Sequence, residues 1–264
     1  MIIPVPAHMI RSLFTALTRQ RSYGKNKNDN VIVFILPGYQ KVPKVNEEYL
    51  EEKKKEIIKA AFEVCQRKPA YEVTMSDVVA ETGMSQGGVY KYYNNIFSVY
   101  AALIDDANRQ GDRISVIDKI MQSDDKPEVK LKKLFRVSEE FFSDMLIGYN
   151  KILFELGTFC IQNPEYDKRI NSETSVTPVF PYLAGRTAEL ITTKTKEGYF
   201  NPVIPPGDIL TFIVASFDGI IRDVTLNKCY GIRSKDMNNL DEKKLINCLY
   251  ISTLKLLGSK SRIK

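Results

Sequence analysis

The strongest local signal in the chain is the stretch 74–93, TMSDVVAETGMSQGGVYKYY. Thr74 precedes an apolar run and has an acidic residue three positions later, a spacing typical of a capped helix start. Gly83 stands where a helix ends in a left-handed residue, which glycine adopts without a Cβ penalty. Ser85 then caps a second short helix, expected over 86–94. The stretch therefore predicts a helix-turn-helix.

The second of these helices has features that suit contact with DNA. Gly87 and Gly88 lie side by side in its first turn, although each costs up to about 1 kcal/mol relative to alanine in a helix interior. Without side chains they let a base edge come close, while hydroxyl groups and helix-start amides suit phosphate oxygens. The alternative is an ordinary helix hairpin with half-buried tyrosines at its rim. On the DNA-binding interpretation, bases face Gln86, Gly87 and Gly88, the sugar-phosphate backbone is held by Thr74, Ser85, Tyr90 and Tyr92, and Lys91 serves either purpose.

The same residues resemble the DNA-binding head of the TetR family of bacterial repressors. That head has an alanine, a glycine, a small polar cap, three variable base-reading positions, and then a tyrosine and an aromatic pair. In this sequence those positions are Ala80, Gly83 and Ser85, then Gln86, Gly87 and Gly88, then Tyr90, Tyr92 and Tyr93. One position departs from the pattern, because Ile96 stands where the family usually has a phosphate-holding lysine. The resemblance implies a DNA-binding regulator.

The composition disfavours an enzyme. His8 is the single histidine, which argues against His-based catalytic triads and most zinc sites. No glycine-rich phosphate loop follows a strand pattern. We therefore expect no catalytic activity, no metal and no other cofactor.

The cysteines and the apolar runs bear on the compartment. The four cysteines lie far apart, without metal-ligand spacing, which is typical of reduced thiols in a cytoplasmic protein. No apolar run approaches the roughly eighteen residues of a membrane-spanning helix, and the first residues lack the pattern of a secretory signal. We expect a cytoplasmic protein without a membrane partner.

The net charge of +6 does not lie on the expected DNA-binding head. Residues 1–41 carry six Lys and Arg against one Asp, whereas residues 42–111 carry nine basic against eleven acidic side chains. DNA binding would therefore depend on locally placed amides, hydroxyls and a few lysines, against a mildly unfavourable overall charge.

The chain is expected to be all-α and divides into three parts. Residues 1–41 combine a polar run with VIVFIL, which has no sheet partner, and are expected to be a poorly ordered extension or wrongly included upstream sequence. Residues 42–94 are expected to form a three-helix DNA-binding head whose first helix is Glu47–Arg67. Residues 95–264 are expected to form a helical ligand-binding and dimerisation bundle.

The link between head and bundle is expected to be simple. The periodicity predicts one long helix from Asn95 to about Ile120, with Gly111 as a point where it bends. Apart from the first helix, we expect this helix to be the only mechanical connection between the head and the rest.

Residues 95–264 have features that suit a ligand-binding site and a dimer interface. Aromatic residues at helical spacing usually form core, but the family resemblance implies that some line a cavity for an apolar or amphipathic small molecule. The last two helices have broad apolar faces, and two copies of them would form a four-helix bundle. The alternative is that they only close the core of one protomer. The predicted interface residues are Phe212, Ser216, Gly219, Leu245, Leu249 and Leu256.

Together these expectations describe a ligand-responsive DNA-binding regulator. It would bind a palindromic double-stranded DNA operator as a homodimer, act as a repressor, and be released by a small-molecule effector. The alternative is a helical ligand-binding or interaction protein whose helix-turn-helix has lost operator affinity, which Ile96 and the negative head would explain.

Overall fold

A computed structural model describes residues 47–109, 111–145, 148–232 and 240–259. The expectations for residues 1–41 lie outside these ranges. All regular secondary structure within them is helical, which confirms the all-α fold class. The α-helices are α1 Glu47–Arg67, α2 Met75–Thr82, α3 Gln86–Tyr90, α4 Ile96–Arg109, α5 Arg113–Gln122, α6 Pro127–Met145, α7 Tyr149–Gln162, α8 Pro164–Glu173, α9 Val179–Lys196, α10 Pro206–Tyr230 and α11 Glu242–Leu256.

Helix α1 has the predicted bounds and packs through one apolar face. Ile57, Ala61 and Cys65 are completely buried on that face, which contacts α2 and α4. Acidic residues occupy the first turn and Arg67 the last, which suits the helix dipole at both ends. The chain then makes a 3₁₀ turn at Ala70–Glu72 before the helix-turn-helix begins.

The helix-turn-helix forms as its capping residues predict. Thr74 and Asp77 make a complete capping box at the start of α2. Gly83 ends that helix in the left-handed region at a φ of 65°. Ser85 caps α3 by accepting a hydrogen bond from the Gly88 amide at 3.2 Å.

Helix α3 is shorter than the expectation that it reaches about Asn94. It ends at Tyr90 because Asn95 already caps the next helix, accepting hydrogen bonds from the amides of Phe97 and Ser98 at 2.8 and 3.1 Å. A residue that caps α4 has non-helical geometry, so the chain must leave α3 a few residues earlier.

The expected continuous helix from Asn95 to Ile120 is wrong. Gly111 and Asp112 both have positive φ values, 82° and 42°, and two successive left-handed residues stop an α-helix. Helix α4 therefore ends at Arg109, and α5 begins as a separate helix at Arg113.

The buried apolar side chains form two clusters. The body cluster comes mainly from α5, α6, α9, α10 and α11. The head cluster comes from α1 to α4 but also contains Ile152 and Leu156 of α7 and Ile170 of α8. The expectation that the head contacts the rest only through α1 and α4 is therefore wrong, since two helices distant in sequence complete its core.

A candidate nucleic-acid interface and a body cavity

Helix α3 and its capping residue hold five of the eight predicted DNA-contacting residues. Val89 is fully buried and anchors the helix, whereas Ser85, Gln86 and Gly87 are exposed. Tyr90 has 38% of its surface exposed. The helix is therefore fixed by one apolar side chain and offers its polar groups outward, as a helix that enters the major groove must.

The two glycines of α3 differ in their surroundings. A Cβ at Gly87 would meet no heavy atom within 4 Å, so its missing side chain serves nothing inside the protein. A Cβ at Gly88 would lie 3.2 Å from Oγ of Ser85, the atom that caps the helix. The absence of a side chain at Gly88 thus has a local structural reason. Gly87 is the position where a partner can approach.

Lys91 is the cation that follows α3, and its surroundings differ from those of several other head cations. Its Nζ lies 5.9 Å from the ring centroid of Tyr92, and no carboxylate pairs with it among the described residues. The cations of the head that do form ion pairs are Lys53, Lys54, Arg67 and Lys68. Because Lys91 is exposed, its charge is available to a phosphate group without first breaking an ion pair.

Thr74 is exposed but its hydroxyl is already in use. It donates to Oδ2 of Asp77 at 2.7 Å and accepts from the Asp77 amide at 3.2 Å. Hydrogen bonds from Lys68 and Thr74 lower the pKa of Asp77 to about 2, so this carboxylate stays charged at neutral pH. Ser85, by contrast, uses only an acceptor lone pair in its cap and keeps its hydroxyl hydrogen for another group.

Three side chains that the sequence reasoning missed hold the turn ahead of α2. The hydroxyl of Tyr100 donates to the carbonyl oxygens of Ala70 and Val73 at 2.6 and 2.9 Å. Burial raises the pKa of Tyr100, which keeps this donor protonated. The other two are Lys151 and Glu155 on α7. Helical periodicity gave no signal for them, because their partners lie far away in sequence.

The body contains a small apolar cavity of about 100 Å³. It lies between α6, α9 and α10, and Ser138 and Thr187 are the polar side chains among its lining. The residues that line this cavity were not predicted from the sequence. The apolar ones include Phe135, Phe180, Leu183, Leu210 and Phe217.

A larger concavity of about 930 Å³ lies beside the head, between α1, α4 and Tyr149. Its lining has charges of both signs, including Lys55, Lys59, Asp105 and Asp106. The body cavity, rather than this groove, therefore has the apolar character typical of a site for an apolar molecule.

The six predicted interface residues do not all face outward. Phe212 is 42% exposed, and Ser216 and Gly219 of α10 and Leu245 and Leu256 of α11 are partly exposed. Leu249 is 4% exposed and lies in the body cluster of its own protomer. Two further outward residues of α11 were not predicted, Cys248, which is an exposed free thiol, and Ser252, which is partly exposed.

No group of three or more His, Cys, Asp or Glu side chains in the described ranges is arranged to hold a metal ion. No helix in the part of the chain that the structure covers is long and apolar enough to cross a membrane.

The head matches a known family. Residues 57–103 match the family model described as bacterial regulatory proteins, tetR family. The match runs from the middle of α1 into α4 and includes the whole helix-turn-helix.

One curated relative and several solved structures extend the similarity beyond the head. The chain is 27% identical over 183 residues to the uncharacterized HTH-type transcriptional regulator YfiR of Bacillus subtilis (strain 168), covering 69% of this chain and 84% of that one. The fatty acid degradation regulator FadR from Bacillus halodurans has the same fold, with a TM-score of 0.53, 21% identity, and coverage of 80% and 97% of the two chains. FadR from Bacillus subtilis, solved in complex with stearoyl-CoA, gives a TM-score of 0.52 at 19% identity, covering 79% of this chain and 99% of that chain.

Proposed function

We propose that this chain, a transcriptional regulator of the TetR family, acts as a homodimeric repressor that an amphipathic small molecule releases from a palindromic operator. Helix α3 carries the proposal, because its buried Val89 fixes a helix whose remaining polar groups face solvent. In this proposal Gln86, Gly87 and Gly88 face bases, and the phosphate contacts are distributed over neighbouring residues. Those residues are Thr74, Ser85, Tyr90, Lys91 and Tyr92. The protein would work in the cytoplasm, by binding rather than catalysis.

The surroundings of Thr74 and Lys91 refine this assignment. Thr74 has already donated its hydroxyl hydrogen to Asp77, so its phosphate contact would compete with the capping box. Lys91 is exposed and forms no ion pair within the described ranges, which supports it as a phosphate cation of the head. It takes over the task that a lysine at the position of Ile96 performs elsewhere in the family.

The outward residues of α10 and α11 support the dimer. Phe212, Ser216 and Gly219 follow one face of α10, and no atom lies within 4 Å of a Cβ built on Gly219. Leu245 and Leu256 of α11 are also partly exposed, Leu256 while packing against the body cluster. Small residues beside apolar ones let two helix pairs approach closely, as in a four-helix bundle. Two-fold symmetry of the protein then matches a palindromic operator.

The body cavity supports an effector with an apolar portion. At about 100 Å³ it is smaller than the roughly 300–1,000 Å³ of typical ligand pockets, so an effector must move side chains as it enters. FadR from Bacillus subtilis binds stearoyl-CoA on the same fold, which makes acyl-CoA thioesters the first compounds to try.

The test of DNA binding is selection of random DNA duplexes on the purified full chain. We expect an enriched palindrome, and we expect Gln86→Ala to change its half-site sequence without changing protein stability. Weak binding that is equal for all sequences and strongly salt-dependent would instead support the alternative, a ligand-binding protein without operator affinity.

The test of the effector site is thermal stabilisation by a series of acyl-CoA thioesters of increasing chain length. A bound ligand raises the melting temperature according to its concentration and affinity. Ala184→Leu, which fills part of the cavity, should abolish the stabilisation. Thr193→Leu adds a similar side chain at an exposed position of the same helix and should leave it unchanged. Equal stabilisation of both variants would place the effector elsewhere.

A further inference from the structure

We propose that Glu155 on α7 is a positioning residue that sets the spacing between the two DNA-reading heads of the dimer. This inference rests on the proposed function, because it takes DNA reading by the head and dimerisation through α10 and α11 as given. It adds a residue outside the helix-turn-helix that determines which operators fit, through half-site spacing rather than base contacts.

Glu155 joins three parts of the molecule with one carboxylate. The side chain is buried, and one oxygen accepts a hydrogen bond from the backbone amide of Ala70 in the head at 2.7 Å. The other oxygen accepts from the hydroxyl of Tyr230, the last residue of α10, at 2.6 Å. Lys151, one turn earlier on α7, lies 3.0 Å from the same carboxylate. Head, α7 and a proposed dimer helix thus meet at this group.

Lys151 attaches α7 to the end of α1. Its Nζ donates to the carbonyl oxygens of Cys65 and Lys68 at 2.6 and 3.1 Å. The last carbonyls of a helix lack intrahelical donors, and a cation there also interacts favourably with the helix dipole. Because these partners are backbone atoms, α7 follows the position of α1 itself.

Apolar contacts make α7 part of the head. Ile152 is completely buried in the head cluster and Leu156 nearly so. The rings of Tyr71 and Phe159 are stacked, with centroids 5.0 Å apart and an interplanar angle of 4°. Any rotation of the head therefore takes α7 with it, since separating them would expose this apolar surface.

The polar connection between α7 and α10 is thinner than that between α7 and the head, although α7 and α10 are also in packing contact. Among the residues that the structure describes, the hydrogen bond from Tyr230 to Glu155 is the only one between side chains of these two helices. The ring of Tyr230 also lies 6.3 Å from that of Phe154. Loss of the Tyr230 hydroxyl would leave Glu155 bound to the head but no longer to the dimer helix. The head would then be held less tightly relative to its two-fold partner.

Two tyrosine variants test this in the full chain. Tyr230→Phe removes only the hydrogen bond to Glu155. Tyr182→Phe is the matched control, because its hydroxyl donates to Asp118, a carboxylate on α5 within the body. Glu155→Gln is less suitable, since it would leave Lys151 half-buried beside a neutral amide. Thermal melting of both variants checks that each is folded.

The measurement is binding to DNA duplexes in which the selected half-sites are separated by spacers of different length. For Tyr230→Phe we expect up to about fivefold weaker binding at the preferred spacing, a limit reached if the free energy of one hydrogen bond is lost only in the DNA-bound form. We also expect the loss of affinity on lengthening or shortening the spacer by one or two base pairs to be smaller than in the parent. The preferred half-site sequence should not change. Tyr182→Phe should give the parent profile. A parent-like spacing profile for Tyr230→Phe would overturn the inference.

A second measurement separates this inference from the proposed function. If the parent selects no DNA sequence, both the proposed function and the spacing role fail together. Hydrogen exchange then still decides whether Tyr230 and Glu155 hold the head. We expect the amide of Ala70 to exchange about tenfold faster in Tyr230→Phe than in the parent, and at the parent rate in Tyr182→Phe. Equal rates in all three proteins would show that the carboxylate positions nothing.

Discussion

Tyr90 is the last residue of α3 and is exposed, directly after the fully buried Val89. This pairing of an apolar anchor with an exposed polar neighbour follows from helix periodicity. The difference between Gly87 and Gly88 did not follow from periodicity, because only the distance from Gly88 to the Ser85 cap separates them. The surroundings of some residues thus follow from the local sequence pattern, whereas those of others depend on contacts in three dimensions.

Tyr90→Phe tests the phosphate role of the hydroxyl. We expect operator binding to weaken by about 1 kcal/mol, the value of one hydrogen bond, equally for all sequences, with melting temperature unchanged. Quantitative binding to the selected operator and to a scrambled duplex measures this. Gln86→Ala is the contrasting variant, since it should alter sequence preference. Parent-like affinity of Tyr90→Phe for both duplexes would remove Tyr90 from the interface.

Asp218 in α10 gives a prediction about pH. Burial raises the pKa of its carboxyl from 3.8 to about 6, so the folded protein holds this proton more tightly than the unfolded chain. Below about pH 4 the carboxyl is protonated in both states and does not lower the free energy of unfolding. Its ionisation lowers that free energy progressively between about pH 4 and 6, and the loss persists at higher pH. We expect Asp218→Asn to be more stable than the parent by about 1–3 kcal/mol at pH 8, with the gain disappearing near pH 4.

Denaturant unfolding at several pH values measures this difference. Asp208→Asn is the control, because Asp208 lies in the first turn of the same helix, where its charge interacts favourably with the helix dipole. That change should lower stability slightly at neutral pH. Equal stability of Asp218→Asn and the parent at pH 8 would mean that a neighbouring charge, for example across the dimer interface, compensates Asp218.

At the scale of helices, the capped helix starts were predictable from the sequence, and the junction between α4 and α5 was not. The caps at Thr74, Ser85, Asn95 and Asp241 all form, because a capping side chain bonds to amides only two or three residues away. The break between α4 and α5 was expected only as a bend. A left-handed Asp112 next to Gly111 has no signature in the sequence, since aspartate adopts this conformation only where its surroundings impose it.

Gly111→Ala tests the left-handed junction between α4 and α5. At a φ of 82°, alanine is strained whatever the space around it, so we expect a loss of about 1–2 kcal/mol in unfolding free energy. A simple bend in a continuous helix would instead have made this change neutral. Gly157→Ala is the control, because Gly157 lies exposed within α7 with no atom within 4 Å of an added Cβ. It should gain up to about 1 kcal/mol. A stabilised Gly111→Ala protein would contradict the left-handed junction.

At the scale of the whole molecule, the two clusters do not follow the division expected near residue 94. Periodicity assigns each helix an apolar face but not the partner of that face. Helices α7 and α8 have such faces, and only the tertiary structure shows that Ile152, Leu156 and Ile170 bury them against the head. The same limit applies to α11, where one apolar stripe contains both Leu249, which faces the core, and Leu245, which is partly exposed.

Leu245→Glu and Leu249→Glu separate dimerisation from folding. We expect Leu245→Glu to give a folded monomer, because a charge on the partly exposed face opposes association but leaves the core intact. Leu249→Glu buries a charge in the body cluster and should destabilise the fold by several kcal/mol. Mass in solution and circular dichroism distinguish the two outcomes. A parent that is monomeric at micromolar concentration would remove the basis for a palindromic operator.

The completion of the head cluster by α7 and α8 has a consequence for how the chain is made. A ribosome synthesises α1 to α4 first, so the helix-turn-helix emerges before the residues that finish its core exist. Until translation passes residue 173, the faces that receive Ile152, Leu156 and Ile170 have no cover. A nascent chain, or a fragment that stops ahead of Tyr149, therefore has the helix-turn-helix without its full support. The newly made protein completes the core of its head only after much of its body has been translated.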